Sequence, residues 1–195
     1  RFRLVLAKEG DDQFEISTFR RNPTPDEQND PEISDDNLFG TSEQDAQRRD
    51  FTLNSLFYDP VADKIIDHTD GVSDLKNRIV RMIGAPNVRL PEDPIRILRA
   101  IRFAHKTNCE LTFDLKEAMS EFAPTLQNTA LPRRREEILK LLRLKYPEAV
   151  FFQMNDLGII EHLAPSLKPL FGTCSMGSYF RQILLKLNYE ARQNC

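Results

Sequence analysis

No uninterrupted apolar run in this sequence approaches the roughly 20 residues that a membrane-crossing helix requires. The first residues, Arg1-Phe2-Arg3-Leu4-Val5-Leu6, read as a strand and contain no signal-peptide cleavage region. Cysteine is sparse. Cys109, Cys174 and Cys195 are odd in number, far apart and without zinc-type spacing, which argues against a disulfide framework or a zinc module. Reduced thiols in a cytoplasmic protein are therefore expected. His68, His105 and His162 are equally scattered, so no His/Cys metal site is expected, and no internal repeat is present. Basic residues are missing altogether from Asn22 to Gln47, where Asp26, Glu27, Asp30, Glu32, Asp35, Asp36, Glu43 and Asp45 make eight acids.

That gap changes the meaning of the net charge. The 195 residues carry 27 Lys and Arg against 30 Asp and Glu, a formal charge of -3. With the eight clustered acids set aside, 22 acids face 27 bases, so the remainder is basic. A polyanionic partner stays open, and so does an ordinary surface with one solvated acidic loop. The length suffices for a buried core in one domain or two small ones.

Along the chain, residues 2–7 and 14–19 read as two strands joined by the turn Lys8-Glu9-Gly10-Asp11-Asp12. Glu15 lies on the opposite face from Phe14 and Ile16, either on the wet side of a sheet or as a carboxylate on rigid scaffold. Residues 20–41 read as a long surface loop. Thr41 or Ser42 can cap a short helix to about Arg49, and the run from Phe51 to Tyr58 is expected to be buried. Ile65-Ile66 and Ile79 to Ile83 read as strands, and Ser73 to Asn77 as a short helix. After Pro91 everything reads helical: 94–106, 114–123, 132–146, 147–157 and 179–192. The predicted class is α+β, with a mixed part at residues 1–86 and an all-helical part at 87–195.

Two stretches stand out chemically. Arg48-Arg49-Asp50-Phe51-Thr52-Leu53-Asn54 sets two guanidinium groups against a carboxylate. Glu92-Asp93-Pro94-Ile95-Arg96-Ile97-Leu98-Arg99-Ala100-Ile101-Arg102 starts a helix whose arginines recur every third residue beside an apolar stripe. Guanidinium forks grip phosphates and base edges, while carboxylates hold a metal or a ribose hydroxyl. The same groups can also form only mutual ion pairs, as Arg49 with Asp50, or Arg133 with Glu137 at i,i+4.

Together these segments resemble the class II nucleotidyltransferase family of bacterial poly(A) polymerases and CCA-adding tRNA nucleotidyltransferases. Phe14-Glu15-Ile16-Ser17-Thr18-Phe19-Arg20 and Arg133-Arg134-Arg135-Glu136-Glu137-Ile138-Leu139 are similar to further family segments, so the resemblance runs from Arg1 to about Pro169. The Arg-Phe-x-Leu opening and Asn37-Leu38-Phe39-Gly40-Thr41 resemble the poly(A) polymerase branch, although Ala7 departs from the aliphatic residue expected there. The family's Gly-rich turn and Asp-x-Asp have no copy here. The chain thus resembles a piece that starts inside the catalytic head and continues into a helical neck.

The resemblance implies template-free addition of AMP from ATP to RNA 3′ ends with Mg²⁺. It makes Asp50 and Glu15 the catalytic and metal carboxylates. Arg48 and Arg49 become phosphate or ribose contacts, and Asn54 the brace of their turn. Asp93 and Arg96 become readers of the incoming base, with Arg99 and Arg102 on phosphate or in internal ion pairs, and Arg133 and Glu137 supporting that helix. Glu92 instead caps or braces the helix start. CCA addition to tRNA and a non-catalytic RNA- or nucleotide-binding fragment are the alternatives. The oligomeric state is not legible.

Overall fold

The computed structural model describes residues 4–24, 26–27, 38–172 and 175–193. Residues 28–37 of the acidic segment, and Cys174 and Cys195, lie outside them. The chain divides into two compact units, Arg1–Val72 and Ser73–Cys195.

The first unit opens on an antiparallel hairpin, β1 (Val5–Glu9) with β2 (Asp12–Ile16). It is tighter than the five-residue turn expected from sequence. Gly10 takes φ +61, and a glycine in the left-handed region is what a two-residue turn asks for. Lys8, Glu9, Asp12 and Gln13 therefore join the ladder, while Thr18 and Phe19 fall outside it. Beyond the hairpin, the two ends of the acidic segment are tied by backbone bonds. Gly40 N–H donates to Phe19 O at 2.9 Å and Arg21 N–H to Leu38 O at 3.2 Å. Arg21 also grips Glu27 with both nitrogens, at 2.6 and 2.8 Å. That guanidinium, aided by the Thr24 N–H, holds the Glu27 carboxyl down at about 2.

Helix α1 (Ser42–Arg48) starts on a capping box in which Thr41 Oγ1 accepts from Gln44 N and the Gln44 side chain accepts from Thr41 N. A 3-10 turn at Thr52–Asn54 follows, then the antiparallel pair β3 (Phe57–Asp59) and β4 (Lys64–Ile66). The run expected to be buried is only partly so. Phe51, Thr52 and Ser55 are inside, but the 3-10 turn breaks the run and Tyr58 points outward. Asp67 accepts from the N–H groups of Thr69, Gly71 and Val72 and so caps α2 (Gly71–Lys76).

In the second unit, β5 (Ile79–Val80) is followed by α3 (Pro86–Glu92), α4 (Ile95–Thr107), β6 (Glu110–Leu111) and α5 (Phe113–Phe122). After a 3-10 turn at Ala123–Asn128 come α6 (Leu131–Leu142), α7 (Pro147–Asp156), α8 (Ile160–Leu163), a 3-10 turn at Pro165–Phe171 and α9 (Ser175–Gln193). The expected helices are present, but three details differ. Residues 86–92 are helical, since Pro86 sits in the first turn and Pro91 only near the end, where it stops the helix. Glu110–Leu111 is a strand, parallel to β5, so the stretch after Pro91 is not wholly helical. Helix α6 ends at Leu142, four residues early, with Arg143 as its C-cap.

Helix α4 is the spine of this unit. Ile97, Leu98, Ala100 and Ile101 have no exposed surface, and α4 packs against α6 and α7. Asn108 closes the helix in the left-handed conformation that asparagine tolerates. Among the described residues, only Phe51 of the largest fully buried side chains belongs to the first unit. No helix among the described residues is long and apolar enough to cross a membrane.

Two outcomes follow from this packing. Leu98→Ala is expected to lower unfolding free energy by about 3 kcal/mol in urea titrations, the cost of an unrelaxed leucine-sized void. The Glu27 carboxyl, followed by NMR, is expected to titrate near pH 2. Its contact with Arg21 is then complete above the ordinary carboxylate range and lost as pH falls through that value.

Candidate active site

In the first unit the Arg-Arg-Asp stretch is a rigid corner. Asp45, buried on α1, accepts from Arg49 Nε at 3.0 Å and Nη2 at 2.8 Å through one oxygen. Its other oxygen accepts from Arg20 N at 3.1 Å. Arg49 Nη1 donates to Asn54 O at 3.0 Å, and the guanidinium lies 5.1 Å from the Phe57 ring centroid. The Arg49 fork therefore closes the corner from within, while keeping 39% of its side-chain surface exposed. Asp50 is buried. Its Oδ1 accepts from Phe51 N and from Asn54 Nδ2, each at 3.0 Å, so Asn54 spans the turn. Arg48 is half-buried. Below the turn, a Cβ on Gly71 would overlap the Thr52 carbonyl, so this close approach needs glycine.

Glu15 is exposed on β2, opposite Leu6. Mg²⁺ asks for near-octahedral oxygen ligands, and among the described residues no group of three or more His, Cys, Asp and Glu side chains is gathered to hold an ion. One oxygen of Asp50 already serves the turn. Asp50 and Glu15 by themselves do not make a site that fits this metal.

In the second unit the start of α4 is an ion-pair lattice. Glu92 Oε2 accepts from Arg89 Nη1 at 2.6 Å and from Arg96 Nη1 at 3.0 Å, and Arg96 Nη1 also reaches Arg89 O. Glu92 thus braces the helix start. Asp93 Oδ2 accepts from Arg133 Nη2 at 2.8 Å, across 40 residues of chain. Farther along α4, Arg102 Nε donates to Glu137 Oε2 at 2.9 Å, with both side chains largely buried. Lys140 adds a bond to Glu137 at 3.0 Å and one to Glu136 at 2.7 Å, contacts that raise the Lys140 pKa and lower that of Glu136. Arg133 and Glu137 do not pair with each other; each reaches from α6 to the α3–α4 segment. Arg99 and Arg102 both lie over the Phe103 ring, at 5.6 and 4.4 Å.

The polar atoms left open beside Asp93 and Arg96 define what this end of α4 can do. Among the described residues Asp93 Oδ1, Arg96 Nε and Arg96 Nη2 carry no hydrogen bond within the protein. Asp93 thus keeps one open acceptor and Arg96 a two-nitrogen donor edge, each on a side chain held by its neighbours, Arg133 for Asp93 and Glu92 with the Arg89 carbonyl for Arg96.

Two family models match: the Poly A polymerase head domain over residues 1–81, and the "Probable RNA and SrmB- binding site of polymerase A" over 109–171. The chain belongs to the class II nucleotidyltransferase family. Poly(A) polymerase I of Haemophilus influenzae is 38% identical over 178 residues, covering 88% of this chain and 39% of that protein. The CCA-adding enzyme of Streptococcus gordonii is 35% identical over 164 residues, covering 84% and 40%. The Bacillus stearothermophilus CCA-adding enzyme in complex with CTP superposes with a TM-score of 0.68 at 27% identity, over 80% of this chain and 36% of that one. A tRNA nucleotidyltransferase complexed with a primer tRNA and an incoming ATP analog also gives 0.68, at 26% identity, over 82% and 44%. The chain therefore spans about two fifths of the length of the curated relatives it matches. The α+β class, a partial nucleotidyltransferase head followed by a helical neck, agrees with these neighbours.

Within this nucleotidyltransferase chain, the sequence reading missed Asp45 as the partner of Arg49, although their i,i+4 spacing on α1 was a signal. It also missed Arg89, whose i,i+3 spacing to Glu92 becomes a signal only once residues 86–92 are seen to be helical. The buried Arg102–Glu137 pair gives a direct check. Glu137→Gln strands a buried guanidinium and is expected to lower stability by about 3 kcal/mol in urea unfolding, whereas the double change Arg102→Leu/Glu137→Leu recovers most of it.

Proposed function

We propose that this chain is part of a template-independent polynucleotide adenylyltransferase that adds AMP from ATP to RNA 3′ ends. The observation that carries the reading is the open Asp93–Arg96 edge. Adenine offers an amino donor next to a ring-nitrogen acceptor on its Watson–Crick face. Asp93 Oδ1 would accept from that amino group, and the Arg96 Nε/Nη2 edge would donate to the ring nitrogen. Guanine and uracil present carbonyl oxygens there, which face the carboxylate unfavourably. Arg133 orients Asp93, and Glu92 with the Arg89 carbonyl orients Arg96.

In the first unit, Arg48 is assigned to the phosphates or ribose of the nucleotide, with Arg49 alongside and its fork fastened to Asp45. Asp50 and Asn54 set the turn from which both arginines project. Arg99 is assigned to phosphate, whereas Arg102 serves as an internal tie. Magnesium would supply charge neutralisation in the in-line displacement. Asp50 and Glu15 are the carboxylates of this chain assigned to the metal centre, which needs ligands besides these two.

The Poly(A) polymerase I relatives and the Arg-Phe-x-Leu opening support the adenylating branch. CCA addition to tRNA is the second reading, supported by the solved relatives bound to CTP. Cytosine, like adenine, sets an amino donor beside a ring acceptor, so Asp93 and Arg96 suit both bases.

The test uses the whole gene product with Mg²⁺, an RNA primer and labelled nucleotides. ATP alone is expected to extend the primer with a run of A. Addition limited to CTP and ATP on a tRNA lacking its 3′ end would replace this reading with the second. Asp93→Ala is expected to relax discrimination against GTP and UTP by at least tenfold, measured as the ratio of kcat/KM values. Asp50→Asn is expected to abolish transfer with an unchanged melting temperature; retained transfer would remove Asp50 from the catalytic group. The 195-residue chain by itself, given the same substrates, is expected to incorporate no label.

A further inference from the structure

At the break between α3 and α4, two guanidinium groups converge on a single carboxylate oxygen. Glu92 is the last residue of α3 and Arg96 the second of α4. Glu92 Oε2 accepts from Arg89 Nη1 at 2.6 Å and from Arg96 Nη1 at 3.0 Å. Its other oxygen, Oε1, accepts from no group among the described residues. Arg96 Nη1 donates a second time, to the Arg89 carbonyl. Arg89 therefore acts on Arg96 by two routes, through Glu92 with its side chain and directly with its backbone.

A guanidinium facing a carboxylate favours the two-nitrogen fork, and this chain uses it elsewhere. Arg21 sets one nitrogen on each oxygen of Glu27, at 2.6 and 2.8 Å. Arg81 does the same on Asp74, at 3.0 and 3.1 Å. Arg96 departs from the pattern. It uses one nitrogen on Glu92, although the second oxygen is open and the Glu92 side chain, 46% exposed, has room to turn. The competing contact with Arg89 is the shorter of the two on Oε2. Arg89 is poorly placed to yield. Only 15% of its side chain is exposed, and its stem runs alongside Gly84, where a Cβ would stand 3.4 Å from Arg89 Cγ.

We propose that Arg89 is a positioning residue that sets base specificity: it holds Glu92 away from the Arg96 fork and so keeps the Nε/Nη2 edge open for the incoming base. It touches neither nucleotide nor reacting atoms. In its absence Glu92 is the nearest open anion to Arg96, and a fork closes either end-on through Nη1 and Nη2 or side-on through Nε and Nη2. Both arrangements take Nη2, one of the two donors facing the base. The inference rests on the assignment of Asp93 and Arg96 as base readers in the function proposed above.

The test compares wild type, Arg89→Met, Arg89→Lys, Arg89→Met/Glu92→Gln and Arg96→Met in the whole gene product, with Mg²⁺ and an RNA primer. Arg89→Met is expected to lower the ATP-to-GTP ratio of kcat/KM about tenfold, chiefly through KM for ATP, with an unchanged melting temperature. Arg89→Lys is expected to keep the ratio, because one ammonium donor suffices for one oxygen of Glu92. The double variant is expected to recover most of the loss, since a neutral amide does not capture the fork. A merely structural Arg89 would not be repaired by removing a second member of the lattice. A crystal structure of Arg89→Met is expected to show Arg96 Nη2 bonded to Glu92. An unchanged ratio in Arg89→Met would overturn the proposal, as would a loss that Glu92→Gln fails to repair. If Arg96→Met alters nucleotide selection and Arg89→Met does not, only the positioning role falls. If neither alters it, the base-reading assignment falls too. Should the whole gene product transfer no nucleotide, the adenylating function is removed, and an Arg96 Nη2 still open in the Arg89→Met crystal structure would overturn the hold on the fork independently.

Discussion

Burial of α4 sets the terms for the second unit. A helix whose Ile97, Leu98, Ala100 and Ile101 are sealed inside has only one arc left for polar groups, and its arginines at every third position must share it. Three guanidinium groups, those of Arg96, Arg99 and Arg102, on so narrow a strip would repel one another without compensation. The unit answers with carboxylates brought from both sides, Glu92 from α3 and Glu137 from α6, so the helix is held by charge on the face that apolar packing cannot reach. The edge proposed above to read the base is a by-product of that arrangement: it consists of the atoms of Asp93 and Arg96 that the lattice does not consume.

The corner in the first unit is built on the same economy with different parts. A buried Asp45 takes the Arg49 fork and the Arg20 backbone together, so α1, the turn after it and the chain entering the acidic segment share one anion. Rigid presentation matters for nucleotidyl transfer, since oriented charges cost no reorganisation when the reaction occurs. In each unit a carboxylate fixes an arginine before any substrate arrives.

How much of this was legible depended on range. Periodicity located the long helices to within a few residues, because the apolar stripe of α4 and the Pro and Gly breaks are local signals. Helix α3 was hidden by Pro91, which reads as a breaker but sits where the helix ends anyway. The two-residue strands β5 and β6 are too short to leave a pattern. Among the charged residues, motif spacing singled out Asp93, Arg96, Arg133 and Glu137, but no local rule says that Arg133 seeks Asp93 rather than its i,i+4 neighbour.

The backbone tie between Phe19–Arg21 and Leu38–Gly40 has an evolutionary consequence. Because the chain leaves and returns through a closed clasp, and the clasp is itself anchored to Asp45, residues can be gained or lost between its two ends without disturbing α1. Closing a longer excursion adds only a slowly growing entropic penalty. An insertion between the two ends of the clasp would therefore leave the Arg20–Asp45 anchor and the arginine corner in place.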